Sequence, residues 1–231
     1  MAERPIFLPT PTQYELVKEV SVKLTWHSGF AEIQKKRNIQ ALHEGAARLG
    51  YAPLLEVSTK SDDKVGQHLS AFHLKVHSSV GDIPLECAFQ GSKVFEYGGP
   101  YTDLFSVDPR TAKRDLRLRD SGRLIAFEYE GMRFPLEPKT VFYDWLYIGA
   151  IFPHREWLSR LSKFVGFTDI EFNPERSINC QARSVALFFS LKSNQLLEDA
   201  MESPATFLQV LHEHEYQVHP IKITVQEQLA Y

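Results

Sequence analysis

Residues 84–95 read PLECAFQGSKVF. Pro84 suits the first turn of a helix, because the N–H it lacks would be unpaired there and its φ is already close to helical. The spacing predicts a helix over 84–96. At about 3.6 residues per turn, Glu86, Gln90 and Lys93 fall on one narrow stripe. Leu85 and Phe89 flank that stripe on one side, Cys87 and Val94 on the other, and Ala88 and Phe95 lie opposite. An acid, an amide and an amine on an otherwise apolar helix suit polar groups turned into a pocket. A solvated face with Leu and Phe at its margins would give the same pattern.

Outward from this helix, two periodicities alternate. Upstream, 31–49 has helical spacing of Ile33, Ile39, Leu42, Ala46 and Leu49, with Gly50 as a stop. LLEVST at 54–59 reads as a strand, and in 70–76 Phe72, Leu74 and Val76 alternate with Ala71, His73 and Lys75 as a half-buried strand would. Downstream, Asp108 and Pro109 form an N-cap and first turn leading into a helix over 109–118. Residues 124–135 read as a hairpin turning at Glu130-Gly131. Thr140 caps a helix to about 151, Pro153 opens another to 165, and 167–172 alternates like a short strand. Helices over 178–191, 194–202 and 205–213 complete the chain, the first apolar nearly all round and so expected to be buried. The expected fold is α+β: one helix-rich domain over 1–231 with a small, mostly antiparallel sheet.

Composition sets outer limits. The 231 residues are 43% hydrophobic and 24% charged, ordinary for a globular chain. A net charge of −3 excludes a globally basic protein, so any nucleic-acid contact must come from a local patch. The two cysteines, Cys87 and Cys180, sit in apolar runs; they make no disulfide framework and fit a reducing compartment. No stretch has the apolar length of a signal peptide or membrane span, so a cytoplasmic location is expected.

Three further features bear on chemistry. Between 110 and 123 stand six cations, Arg110, Lys113, Arg114, Arg117, Arg119 and Arg123, against Asp115 and Asp120. Arg110, Arg114 and Arg117 share a helical face that could hold a pyrophosphate or track a DNA backbone; a soluble surface would look alike. Asp169 and Glu171 are expected on one face of a strand, where paired carboxylates could stabilise an oxocarbenium-like centre or activate water. Aromatic side chains near these elements (Phe72, Phe89, Phe142, Tyr143, Trp145 and Tyr147) include candidates for stacking on a purine. His212, His214 and His219 lack any metal-site spacing, and no phosphate-binding glycine loop occurs, so neither metal nor cofactor is expected.

LECAFQGSKVF (85–95) resembles the signature of the NADAR family at its Glu, Phe-Gln and Lys positions, with Ala88 in a slot that is usually aromatic. LSAFHLK (69–75) is similar to that family's Leu-Ser-Asn-Phe segment, with Ala71 where Asn is common. DPRTAKR (108–114) is similar to its Ala-(Lys/Arg)-x-Gly-Arg helix, without the glycine. FPLEPKTVFYDWLYIGAI (134–151) and FTDIEFNPERSINCQARSVAL (167–187) look most like the NADAR antitoxins paired with DarT-type ADP-ribosyltransferases. The resemblance spans about 30–195, leaving the two ends as flanking extensions.

The resemblance implies an N-glycosidase that removes ADP-ribose from guanine bases in DNA, with ADP-ribose as product and a DarT-type toxin as a possible partner. In this reading Glu86 stabilises charge at the anomeric carbon or positions water. Lys93 binds the ribose, protonates the departing amine, or attacks an opened sugar as a Schiff-base nucleophile. Gln90 fixes a hydroxyl, and Arg114 with Lys113 or Arg110 neutralises the pyrophosphate. Asp144, Trp145, Asp169 and Glu171 complete the pocket, Trp145 as a stacking wall and Phe72 and Phe89 as nucleotide contacts. The competing readings are an N-glycosidase of small phosphoribosylated metabolites of the YbiA type, an antitoxin that covers its toxin without chemistry, and a plain nucleic-acid-binding module.

Overall fold

Two strands that the proline-broken N-terminus gave no sign of begin the fold: β1 (Ala2–Pro9) and β2 (Val17–Leu24) pair antiparallel along their whole length. The computed structural model describes residues 2–11, 15–29, 31–175 and 177–215 of the chain. Pro5 and Pro9 are tolerated because β1 meets its other neighbour only at Phe7, so few of its N–H groups are required there. After β2 come helix α1 (Glu32–Arg48), strand β3 (Leu54–Glu56) and the short helix α2 (Lys64–His68). Strands β4 (Lys75–Ser78) and β5 (Gly81–Pro84) form a hairpin that leads straight into helix α3 (Leu85–Gly91) and strand β6 (Lys93–Phe95). Helices α4 (Pro109–Arg114) and α5 (Arg117–Asp120) precede the hairpin of β7 (Leu124–Tyr129) and β8 (Met132–Phe134). Then follow α6 (Val141–Ile151), α7 (Arg155–Leu158), β9 (Gly166–Thr168), α8 (Gln181–Ser193), α9 (Leu197–Met201) and α10 (Pro204–Glu215).

The fold is α+β, with the strands shared among three small sheets rather than one. The largest has the order β2-β1-β9-β3, the others are β4-β5 and β6-β7-β8, and among the described residues only β3 and β9 pair in parallel. One face of the large sheet packs Ile6, Leu8, Val22 and Leu24 against Ile39, Leu42 and Ala46 of α1. Phe7 and Phe167 belong to the main core, where Phe167 stacks on Phe189 of α8 at 5.3 Å. All of α8 from Gln181 to Leu191 except Arg183 is buried, as its all-round apolar sequence demands. The expected turn is present, with Glu130 (φ 51°) and Gly131 (φ 73°) both left-handed, the backbone a two-residue hairpin requires.

The helices expected over 109–118 and from Pro153 to 165 are each broken into shorter pieces, and three further corrections move a site residue. The helix predicted over 84–96 stops at Gly91. A Cβ there would lie 2.6 Å from the Phe105 ring, and the carbonyls of Gly91 and Ser92 accept Tyr101 and Glu128 N–H groups at 2.7 Å. Lys93 therefore opens β6, paired opposite Phe127. The strand predicted over 70–76 starts only at Lys75, because Ser70 O accepts the N–H groups of His73 and Leu74 and curls the chain into a turn. The strand at 167–172 ends at Thr168, which puts Asp169 and Glu171 on a loop rather than on one strand face.

Candidate functional site

A cavity of about 640 Å³ opens between α3, the β6-β7-β8 sheet, the loop after β9 and the start of α8. Glu86, Phe89, Gln90, Lys93, Phe72, Lys113, Asp169 and Glu171 all line it. The break in the helix leaves the polar stripe intact: Gln90 Nε2 donates to Glu86 Oε1 at 2.9 Å, and Lys93 Nζ donates to Gln90 Oε1 at 2.7 Å. The amide thus relays between an acid and an amine, its oxygen facing the donor and its nitrogen the acceptor.

Glu86 and Gln90 are each only 6% exposed, so this is an interior polar chain and not a solvated face. Burial lowers the Lys93 amine to about 8, with the Glu86 carboxylate acting in the opposite sense. Its Nζ sits 4.9 Å over the Phe89 ring, and Phe89 meets Tyr143 edge-on at 5.2 Å and Phe127 at 5.4 Å. The amine is held between an aromatic floor and one amide oxygen.

The mouth carries Lys113 of α4, whose Nζ lies 3.9 Å from Glu86 Oε1 and 5.5 Å over the Phe72 ring. Across the cavity Asp169 is 9% exposed, and burial, reinforced by the charge of Glu56, holds its carboxyl well above the usual carboxylate range. Glu171 is exposed at the rim and pairs with Lys35 of α1 at 3.1 Å.

Four expected residues lie elsewhere. Arg110 and Arg114 are exposed on α4 outside the cavity lining, which Lys113 alone of that helix reaches. Asp115 ends the helix and takes Arg117 into an ion pair shared with Asp103, so Arg110, Arg114 and Arg117 form no continuous face. Asp144, 1% exposed, accepts Arg183 Nη1 at 2.7 Å and Ser184 Oγ at 2.6 Å and joins α6 to α8 beneath the cavity lining. Trp145 packs on Phe134 at 5.1 Å and Tyr129 at 6.3 Å, as part of the interface between α6 and the three-stranded sheet. His219 lies outside the described residues; among the described residues no cluster of His, Cys, Asp and Glu has a metal-binding arrangement.

Sequence reading passed over two side chains that organise the site. Gln181 Oε1 accepts the Ala71 N–H at 2.8 Å, and Gln181 lines the same cavity as Asp169. Glu56, 3% exposed, stands behind Asp169 and accepts from Ser58, Thr168 and Ile170. The one available signal for Glu56 is an acid inside the apolar run LLEVS at 54–58. Gln181 offers none, being a polar residue at the start of a helix.

Fold and site together describe a helix-rich α+β domain around a cavity that sets an acid–amide–amine chain against a buried carboxyl group. The chain belongs to the DarT1-associated NADAR antitoxin family, which it matches over residues 2–220. The match includes β1 and β2, ahead of the motifs at 69–114. No curated protein matches the chain. Among the described residues no helix is long and apolar enough to cross a membrane.

Proposed function

We propose that the protein hydrolyses the N-glycosidic bond between ADP-ribose and the exocyclic amine of guanine in DNA, reversing the modification made by a DarT1-type ADP-ribosyltransferase. The observation that carries this reading is the Glu86–Gln90–Lys93 chain, buried in the cavity wall with its amine lowered to about 8. The volume of about 640 Å³ suits a ligand of nucleotide size.

As the C1″–N bond breaks, its electron pair leaves with the amine and positive charge grows at C1″. Glu86 is the carboxylate suited to offset that charge and to take the proton of the water that adds to C1″. Asp169, whose burial favours the neutral acid, is suited to give the departing amine its proton. Lys93 has two uses compatible with its pKa: as an ammonium it holds the ribose, and as a free amine it adds to C1″ of the ring-opened sugar while that carbon is still the imine of guanine, displaces the guanine amine, and leaves a Schiff base that water hydrolyses to free ADP-ribose. Lys113 at the mouth suits the pyrophosphate, and exposed Arg110 and Arg114 on the same helix suit DNA backbone phosphates outside the cavity. Phe72, 37% exposed at the rim, offers a face to the modified base.

The test is a substrate comparison: a guanine-ADP-ribosylated oligonucleotide, an N-phosphoribosylated small amine, and a stoichiometric toxin-binding assay. Release of free ADP-ribose and unmodified guanine from the oligonucleotide is the expected result. Cleavage of the small amine alone, or tight toxin binding without release, overturns it. Borohydride added during turnover separates the two uses of Lys93, since only the Schiff-base route leaves ADP-ribose reduced onto the protein.

A further inference from the structure

Behind the cavity wall, Glu56 at the end of β3 lies beside the loop that carries Asp169. Ile170 N donates to Glu56 Oε1 at 2.9 Å, so the residue next to Asp169 in sequence is bonded to the Glu56 carboxyl. Ser58 Oγ donates to the same oxygen and Thr168 Oγ1 to Oε2, each at 2.6 Å. Neither carboxyl has an ion-pair partner among the described residues. Two neighbouring buried carboxylates without a cation do not both ionise, because each desolvated charge raises the cost of the other.

The surrounding hydrogen bonds decide which one ionises. Burial raises the Glu56 carboxyl to about 7, but the three donors it accepts work against that rise and favour its anion, whereas the Asp169 carboxyl accepts the Glu171 N–H at 3.0 Å. Thr168 spends its only hydroxyl proton on Glu56 and therefore accepts from His43 Nε2, 2.9 Å away, which fixes the proton of His43 on Nε2. The chain His43–Thr168–Glu56 thus has one polarity, every donor pointing at Glu56. It starts in a second cleft of about 590 Å³ between α1 and the loop after β3, lined by both His43 and Glu56.

We propose that Glu56 is a positioning residue for Asp169: the two carboxyls share one proton, and the donors Ser58, Thr168 and Ile170 hold Glu56 as the anion so that Asp169 presents the proton to the cavity. The pairing rests on the burial of both carboxyls and on the Ile170 bond that ties the Asp169 loop to Glu56; only the use of that proton by a leaving amine rests on the hydrolase reading above. The other titratable groups facing the pair leave it in charge of its own proton. Burial keeps Tyr143 and Tyr147 of α6 and Cys180 ahead of α8 neutral, and lowers His43 of α1 to about 4, so it too is neutral. Glu171 from the same loop is paired with Lys35.

Infrared titration of the intact protein tests the pairing without any substrate. The wild type is expected to keep a carboxylic-acid C=O band at neutral pH that disappears in Asp169→Asn. In Glu56→Gln the repelling charge is gone, so the Asp169 band titrates at lower pH. Thr168→Val removes one donor and leaves the Glu56 side chain in place; it draws the proton toward Glu56 and keeps the test open if Glu56→Gln fails to fold. Absence of the band in wild type, or its persistence unchanged in Asp169→Asn, overturns the proposal.

The kinetic counterpart is the alkaline limb of the pH–kcat profile on ADP-ribosyl-guanine DNA. It is expected to move to lower pH in Glu56→Gln, whereas a uniform loss at every pH marks a merely structural Glu56 and contradicts the proposal. If the wild type releases no ADP-ribose, the hydrolase reading fails and the infrared result still decides the pairing.

Discussion

Gln181 Oε1 accepts the Ala71 N–H at 2.8 Å, and that bond fastens the turn bearing Phe72 to the first residue of α8. Both ends are buried, Ala71 at 4% and Gln181 at 9% exposure.

Gln181→Leu keeps the bulk and removes that bond. A buried N–H left without an acceptor costs roughly 1–3 kcal/mol. Urea unfolding is expected to show a lower midpoint with an unchanged m-value. In the folded variant KM should rise, because Phe72 loses its anchor. Stability equal to wild type would mean that Ala71 finds another acceptor.

Asp144 and Trp145 separate stability from function. Asp144→Ala removes the carboxylate that accepts from Arg183 and Ser184. Breaking a buried pair on one side costs about 3–5 kcal/mol, and the partial exposure of Arg183 lowers the expected loss to roughly 2–4. Trp145→Phe is expected to destabilise by a smaller amount. Neither should change KM in folded protein, which steady-state kinetics below the unfolding transition checks; a KM effect from Trp145→Phe would return it to the cavity.

The stripe Glu86, Gln90 and Lys93 was legible because residues four and three apart remain neighbours even though the helix stops at Gly91. That stop was not legible. It is set by Phe105, Tyr101 and Glu128, all distant in sequence, competing for the space and carbonyls of the next turn. β1 was hidden by Pro5 and Pro9, which local rules read as breaks; β2 holds no proline, but its VKEVSVKL alternates apolar and polar only in part, and it is fixed by pairing with β1. Helices α1, α6, α8 and α10 followed from periodicity within a few residues, although Thr140 precedes α6 without a capping side-chain bond. The basic run at 110–123 overstated the site, because composition cannot tell Lys113, which turns inward, from Arg117, which Asp103 and Asp115 neutralise.

Lys93 gives a pH signature. Its amine is lowered by burial from 10.5 to about 8, so between those values the unfolded chain binds a proton that the folded protein does not. Stability from this group accordingly rises as pH rises from about 8 to 10.5 and is flat below 8. Lys93→Met should flatten that slope in urea unfolding measured across the window. Amine-selective labelling followed by peptide mass analysis is expected to show Lys93 reacting with a midpoint near 8, well below the surface lysines. A midpoint with the surface group would contradict a desolvated amine.

The most direct test is multiple-turnover release of ADP-ribose from a guanine-ADP-ribosylated oligonucleotide, in the presence of a chelator, by wild type and Glu86→Gln. Gln has nearly the shape of Glu but no charge to offset at C1″, so turnover is expected to fall by about two or more orders of magnitude, the scale of lost transition-state electrostatics. Wild type should release many equivalents per protein, with DNA binding by Glu86→Gln retained. Equal turnover by the two proteins, or no release by folded wild type, would contradict the account.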